Sequence, residues 1–143
     1  MTEIETVFMA AACETSDAHP SGSLFISIAD PFMAILKQTE MSADQIWDAE
    51  VSLARDGYIA IPNCNPWDID PGWSNPLEFT ITPLGLSWWL RRKHGKDYPK
   101  MVENVRRTKV ECELKGICTA EAWARKLDLP LLLLQKILHA ERL

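Results

Sequence analysis

The sequence predicts a mainly helical fold that contains a small antiparallel β-sheet, and two observations lead to this prediction. Apolar residues recur at helical spacing in segments that begin with a capping residue and end at a glycine. Two short apolar runs, residues 58–61 and 79–81, flank a proline-rich loop, which is typical of paired strands. At 143 residues and 47% hydrophobic composition, the chain is large enough to bury a core.

Local signals predict the first elements in order. Residues 2–14 have apolar side chains at helical spacing and predict a first helix, and the polar residues 15–23 predict a loop. Residues 24–28 are apolar and partly β-branched, which predicts a strand. Asp30 as the N-cap, followed by proline, predicts a second helix over residues 31–38.

The third helix has the clearest boundaries. Ser42 and Gln45 form a capping-box pattern at its start, and Gly57 provides a stop directly after Asp56. The strand at residues 58–61 follows this stop.

The next segments are a long loop and a fourth helix. Residues 62–76 contain prolines at four positions and asparagines at three, which predicts a loop. Thr82 as the N-cap and Pro83 at the first helical position begin a helix that ends at Gly95. Cations in its last turn suit the helix dipole.

The order helix, strand, helix, helix, strand, loop, strand, helix resembles a winged helix-turn-helix domain, most closely the PadR- and MarR-type regulators. The resemblance rests on the spacing from Ser42 to Gly57 and on the Thr-Pro-Leu-Gly sequence that begins at Thr82. It implies a winged helix-turn-helix domain over residues 1–95 that binds DNA. It also implies a homodimer formed through the C-terminal helices of residues 96–143.

The C-terminal region is predicted to be helical. Residues 99–115 predict one helix, which Gly116 ends. Residues 119–130 look like the first helix and turn of a second helix-turn-helix, with Asp128 where glycine is usual. The final helix, residues 130–142, is apolar around most of its circumference, so we expect it to be buried in the core or against another chain.

In this resemblance the third helix has the position of a recognition helix, and its predicted outer face is acidic. That face collects Asp44, Gln45, Asp48, Ser52, Arg55 and Asp56. A reading helix needs hydrogen-bond donors for base edges and cations for phosphates, whereas carboxylates are repelled by phosphates. The face therefore favours a basic protein partner over tight DNA binding by this helix.

Glu50 falls on the apolar side of the same helix. Its carboxylate either reaches water at the edge of that side or pairs with a cation of the second half, such as Arg91 or Arg92. Charged groups are rarely buried unpaired.

The proline-rich loop offers two tryptophans and no cations. Trp67 and Trp73 either fold back to cover the core or form an exposed patch for a protein partner.

Charge is divided unevenly along the chain. Residues 1–90 have 2 Lys+Arg against 13 Asp+Glu, whereas residues 91–143 have 13 against 7. The candidate contacts to a nucleic-acid backbone lie in one basic segment: Arg91, Arg92, Lys93, Lys96, Lys100, Arg106, Arg107 and Lys109. This density suits contact with several phosphates without base reading. The alternative is a solvated helix face, or a surface that docks on the acidic half of a neighbouring subunit.

Motifs for catalysis are scarce, and we expect neither an enzyme nor a cofactor or metal. No HxxxH, GxSxG, P-loop or GxGxxG pattern occurs in the sequence. The cysteines Cys64, Cys112 and Cys118 are either small buried hydrophobes or reactive thiols. An irregular metal site formed by Cys112 and Cys118 with His94 or Glu113 is the remaining alternative.

The acidic N-terminus, the scattered cysteines and the short apolar runs lead us to expect a cytoplasmic protein with reduced thiols and no membrane contact.

Two classes of function follow. The resemblance favours a small DNA-binding transcriptional regulator that contacts the phosphate backbone through residues 91–109. Local chemistry favours a winged-helix interaction module that binds a basic protein surface through its acidic helix and Trp-bearing loop. A phage or mobile-element effector that mimics nucleic-acid charge against a host protein is one form of the second class.

Overall fold

The computed structural model describes residues 1–27, 32–69, 78–116 and 119–143. It has seven α-helices and a three-stranded antiparallel sheet in these residues, so the predicted mainly helical fold with a small antiparallel sheet is confirmed. The chain divides into two compact units, Met1–Gly85 and Leu86–Leu143. The domain boundary expected at residue 95 stays a prediction, because compactness alone does not define a domain.

Helix α1 (Glu3–Ala18) begins with a capping box. The Thr2 hydroxyl accepts from the Glu5 amide at 3.2 Å, and the Glu5 carboxylate accepts from the Thr2 amide at 2.8 Å. The helix runs past the predicted end at residue 14, so the predicted loop start was wrong. Polar residues extend it because the Thr15 hydroxyl donates back to the Ala11 carbonyl and Ser16 is buried.

Helices α2 (Phe32–Lys37) and α3 (Ala43–Arg55) follow. The predicted capping box of α3 is confirmed, since the Ser42 hydroxyl accepts from the Gln45 amide at 3.1 Å. The predicted stop is also confirmed, because Gly57 adopts a positive φ of 85° that glycine tolerates without strain. The expected N-cap at Asp30 and the residue after it lie outside the described residues.

Three short strands form the sheet: β1 (Phe25–Ile26), β2 (Ile59–Ala60) and β3 (Phe79–Ile81). Strand β3 lies between the other two and pairs antiparallel with both. In the predicted loop between β2 and β3, residues Pro66–Asp68 form a short 3₁₀ turn.

The core of the first unit is built on three aromatic rings. The rings of Phe8, Phe32 and Phe79 come from α1, α2 and β3, and their centroids lie 5.3–5.5 Å apart. This packing joins the sheet to two of the helices and buries all three side chains.

Helix α4 (Pro83–His94) begins in the first unit, and its third residue has no room for a side chain. A Cβ at Gly85 would collide with the carbonyl oxygen of Tyr58. Glycine at this position therefore permits the first turn of α4 to lie close to the backbone at Tyr58, between α3 and β2.

The second unit contains the rest of α4, then α5 (Tyr98–Lys115), α6 (Ala120–Leu127) and α7 (Leu131–Ala140). Helices α6 and α7 are joined by a tight turn in which Asp128 adopts the left-handed conformation, with φ 55°. Aspartate tolerates this conformation better than most residues, so the turn forms without the usual glycine.

Candidate functional site

Helix α3 has the two faces that its sequence predicts. The buried side contains Ile46, Trp47, Ala49, Glu50, Leu53 and Ala54. Of the predicted outer residues, Asp44, Gln45, Asp48, Arg55 and Asp56 are exposed, and Ser52 is half-buried. The outer face thus presents carboxylates at both ends of the helix.

Ser52 is engaged with α1. Its hydroxyl donates to the Glu5 carboxylate at 2.6 Å, although Glu5 is largely buried. This hydrogen bond is the main cause that holds the Glu5 pKa below its usual value, and the hydrogen bonds to Thr2 act in the same direction against burial. The bond ties the outer face of α3 to the first turn of α1.

Arg55 is the cation of the predicted outer face, and the loop after β2 holds it. Its Nε donates to the carbonyl of Pro66 at 3.1 Å, and its guanidinium carbon lies 5.0 Å from the centroid of the Trp67 ring. A guanidinium over an aromatic face is attracted by the ring quadrupole. Arg55 therefore positions the loop against α3.

Trp67 is 68% exposed. The interpretation in which Trp67 folds back to cover the core is therefore wrong. Trp73, the second tryptophan of the predicted patch, lies outside the described residues. What remains of that patch is an exposed indole beside the carboxylates of α3.

A surface pocket of about 400 Å³ lies between the outer face of α3 and residues 66–69; we name it the α3 pocket. Its lining is apolar at four positions and charged or polar at the others, namely Trp47, Val51, Trp67 and Ile69 with Asp48, Ser52, Arg55 and Asp56. The charged side chains are two carboxylates and one guanidinium, so the pocket has a formal charge of −1.

Glu50 is only 1% exposed, so the interpretation in which its carboxylate reaches water is wrong. The alternative, a pair with a cation of the second half of the chain, stays a prediction. The helical pattern that placed Glu50 on the apolar side was correct about its burial.

The eight basic residues predicted to contact phosphates are not equally available. Three form ion pairs with carboxylates: Arg91 with Glu141 at 3.2 Å, Arg107 with Glu103 at 3.8 Å, and Lys109 with Glu113 at 3.9 Å.

Four of these basic residues make no ion pair within the part of the chain that the structure describes. Lys96, Lys100 and Arg106 are exposed, and Arg92 is exposed with its guanidinium 5.5 Å from the Trp88 ring centroid. Arg106 and Arg107 point about 100° apart around α5, so the cations of this helix do not form one narrow stripe.

Arg91 belongs to a polar cluster inside the second unit. The Glu141 carboxylate accepts from the Tyr98 hydroxyl at 2.8 Å and from Arg91 at 3.2 Å. The Ser87 hydroxyl accepts from Arg91 Nε at 3.0 Å. Burial and the Glu141 carboxylate both raise the pKa of Tyr98. The cluster holds the C-terminal residues on α4 and α5.

Helix α7 is partly buried within this chain, with Leu134 and Ile137 fully covered. Leu132 on the same helix is exposed, as are Val110 and Leu114 on α5. Val110 and Leu114 are one turn apart, and Leu114 is 83% exposed. Apolar surface therefore remains on α5 and α7 after the unit has folded.

Cys112 is disulfide-bonded, whereas Cys13 and Cys64 are in no disulfide. The expectation of reduced thiols is therefore wrong for Cys112. A disulfide sulfur is also not the thiolate that a metal site requires, which weighs against the irregular site with His94 or Glu113. Among the described residues, no group of His, Cys, Asp and Glu side chains has an arrangement that suits a metal ion.

Within residues 1–27, 32–69, 78–116 and 119–143, no helix combines the length and apolarity that a bilayer crossing requires.

The described residues define a mainly helical protein whose first unit has an acidic surface at α3 and whose second unit is rich in cations. Comparison with protein-family models, curated proteins and solved structures finds no match for this chain.

Proposed function

We propose that this chain is a small non-enzymatic regulatory protein with a winged helix-turn-helix domain, which binds a basic protein surface through the outer face of α3. The winged-helix assignment is supported by the element order and by a sheet in which β3 lies between β1 and β2. In this assignment, α2 and α3 form the helix-turn-helix, and the segment between β2 and β3 forms the wing.

The observation that carries the proposed partner is the charge of the α3 face. Asp44, Asp48 and Asp56 are exposed there, while Arg55 is held by Pro66 and Trp67. A polyanion is repelled by such a surface, whereas lysine and arginine side chains are attracted to it. An effector that mimics nucleic-acid charge would use the same face.

Charge reversal on α3 tests this proposal. The double variant Asp48→Lys with Asp56→Lys should lose the proteins captured by the wild-type chain from cells of its source, as measured by quantitative mass spectrometry. The control Glu14→Lys with Glu78→Lys changes the net charge equally at exposed positions away from α3. Equal losses from both variants would contradict a specific role of α3.

DNA binding through the second unit is the second candidate function, and one observation favours it. Arg92, Lys96, Lys100 and Arg106 are exposed and have no carboxylate partner among the described residues. These cations would contact phosphates without reading bases, so binding would depend on salt rather than on sequence.

A pair of matched variants tests the DNA candidate. Lys100→Ala with Arg106→Ala should reduce the slope of log affinity for random duplex DNA against log salt by about two. Lys115→Ala with Arg125→Ala removes the same charge from exposed positions outside the basic segment and should leave the slope nearly unchanged. Arg91 is left intact because it binds Glu141 within the fold.

We further propose a homodimer that forms through the C-terminal helices. The exposed Val110 and Leu114 on α5 support it, because apolar side chains one turn apart offer a continuous contact. Light scattering should give the mass of a dimer for the wild type. The double variant Val110→Ser with Leu114→Ser should give the mass of a monomer.

A cytoplasmic location is also proposed. The reduced state of Cys13 and Cys64 supports it, whereas the disulfide at Cys112 is more typical of an oxidising compartment. Cell fractionation with thiol labelling of Cys112 tests the location, and recovery of the chain outside the cytoplasm would contradict it.

A further inference from the structure

We propose that the α3 pocket binds the guanidinium group of an arginine in a basic protein segment. The inference rests on the proposed function, because it assumes that the α3 face meets a basic partner. It adds a specific recognised group and a specific place on that face.

The lining of the α3 pocket matches what a guanidinium requires. Arginine is planar, stacks on aromatic faces and pairs with carboxylates through two parallel hydrogen bonds. The pocket combines the exposed indole of Trp67 with the carboxylates of Asp48 and Asp56. The apolar remainder of the lining also suits the methylene stem of the side chain.

The chain itself shows how the Trp67 ring accepts a guanidinium. Arg55 lies over this ring at 5.0 Å, with its Nε on the Pro66 carbonyl. Trp67 nevertheless remains 68% exposed, so Arg55 leaves most of the indole uncovered. An incoming arginine meets the remaining indole surface.

Charge selects this occupant over the alternatives. The two carboxylates outnumber the one guanidinium of the lining, so the pocket repels anions and attracts a second cation. Lysine has the same charge but lacks the planar group that stacks on indole, so it should bind more weakly.

Nuclear magnetic resonance of the full chain tests the proposal. The probe is a short synthetic peptide that alternates arginine with serine, and a lysine–serine peptide of the same length is its comparison. A Trp67→Phe variant identifies the indole N–H signal of Trp67. The chain has 6 tryptophans, so the indole N–H signals of the others are internal controls. We expect the arginine peptide to shift the Trp67 signal and to bind more tightly than the lysine peptide.

Two variants separate recognition in the pocket from general attraction. Asp48→Asn with Asp56→Asn should weaken the arginine peptide about tenfold. Glu14→Gln with Glu78→Gln removes the same charge from exposed positions outside the pocket and should change binding by less than about twofold. All four positions are exposed, and circular dichroism establishes that each variant is folded.

The outcomes that overturn the inference differ from those that overturn the proposed function. If the peptide shifts the amide signals of Asp44 and Gln45 but leaves the Trp67 indole signal unchanged, binding in the pocket is rejected, whereas binding of a basic partner to the α3 face is retained. Equal weakening by the two double variants, or equal affinity for both peptides, would also reject the pocket. No binding of either peptide by the wild type would reject both proposals.

Discussion

The hydroxyl of Tyr98 donates a 2.8 Å hydrogen bond to the carboxylate of Glu141, which is 43 residues away in the chain. Tyr98 is fully buried and lies at the first position of α5, while Glu141 directly follows α7. The same carboxylate accepts from Arg91, whose guanidinium carbon lies 5.3 Å from the Tyr98 ring centroid. These contacts join α4, α5 and the end of the chain within the second unit.

Replacing Glu141 by glutamine should destabilise the chain. The amide keeps the shape of the side chain but loses the charge that pairs with Arg91 and strengthens the bond from Tyr98. We expect a loss of about 1–3 kcal/mol in the free energy of unfolding, measured by urea denaturation at neutral pH. Glu121→Gln is the control; it removes a carboxylate from an exposed position in the first turn of α6 and should cost less than about 1 kcal/mol.

The raised pKa of Tyr98 predicts a loss of stability in alkali. Its hydroxyl is neutral in the folded chain at pH values where an unfolded tyrosine ionises. The stability it contributes is therefore complete below the unfolded pKa of about 10 and falls as pH rises above that value toward the folded pKa.

Thermal unfolding of the wild type and of Tyr98→Phe between neutral pH and pH 11 measures this effect, because phenylalanine cannot ionise. The difference in melting temperature should shrink as pH rises above about 10. A constant difference across this range would contradict a linked ionisation of Tyr98.

Ser52→Ala should destabilise the first unit in a pH-dependent way. The variant removes the 2.6 Å hydrogen bond to Glu5, which is the main cause of that carboxylate's lowered pKa. We expect a loss of about 1–2 kcal/mol at neutral pH. A lowered carboxylate pKa contributes stability above the unfolded value, so the loss should diminish as pH falls below about 4. Urea denaturation at several pH values measures it, and a pH-independent loss would contradict the assignment.

Gly85→Ala should be more damaging than helix propensity suggests. Alanine normally favours a helix over glycine, yet here its Cβ would collide with the Tyr58 carbonyl oxygen. We expect a loss of about 3 kcal/mol. Gly116→Ala is the comparison, because its Cβ meets nothing within 4 Å and only its positive φ of 84° costs about 1 kcal/mol. Denaturation curves in which the two variants lose equal stability would show that the collision is relieved.

The order of the elements was predictable because their signals are local. The capping box at Ser42 and the stop at Gly57 involve residues within one helical turn of each helix end, so the bounds of α3 were expected correctly. The end of α1 was missed because Thr15 and Ser16 begin a polar stretch, and polar composition predicts a loop. Their hydroxyls instead bond to the Ala11 and Gly22 carbonyls, and the second of these contacts depends on the fold.

The candidate site was predictable in its charge but not in its shape. Helical spacing alone placed the carboxylates Asp48 and Asp56 on the outer side of α3. The pocket beside them was missed because it depends on the loop after β2, where Trp67 contacts Arg55. The periodicity of a helix predicts contacts within that helix and not contacts with a loop. The basic segment was likewise predicted as one group, although Arg91 proved to bind Glu141.

By itself the sequence determined where α3 begins and ends, the acidity of its outer face and the division of charge between the halves of the chain. Each of these depends on composition or on residues within a turn of one another, so folding does not change them. Only the tertiary structure decided that the guanidinium of Arg55 lies over the Trp67 ring and that the Glu141 carboxylate accepts a hydrogen bond from the Tyr98 hydroxyl. Such contacts join residues from different elements, and their formation depends on how those elements pack.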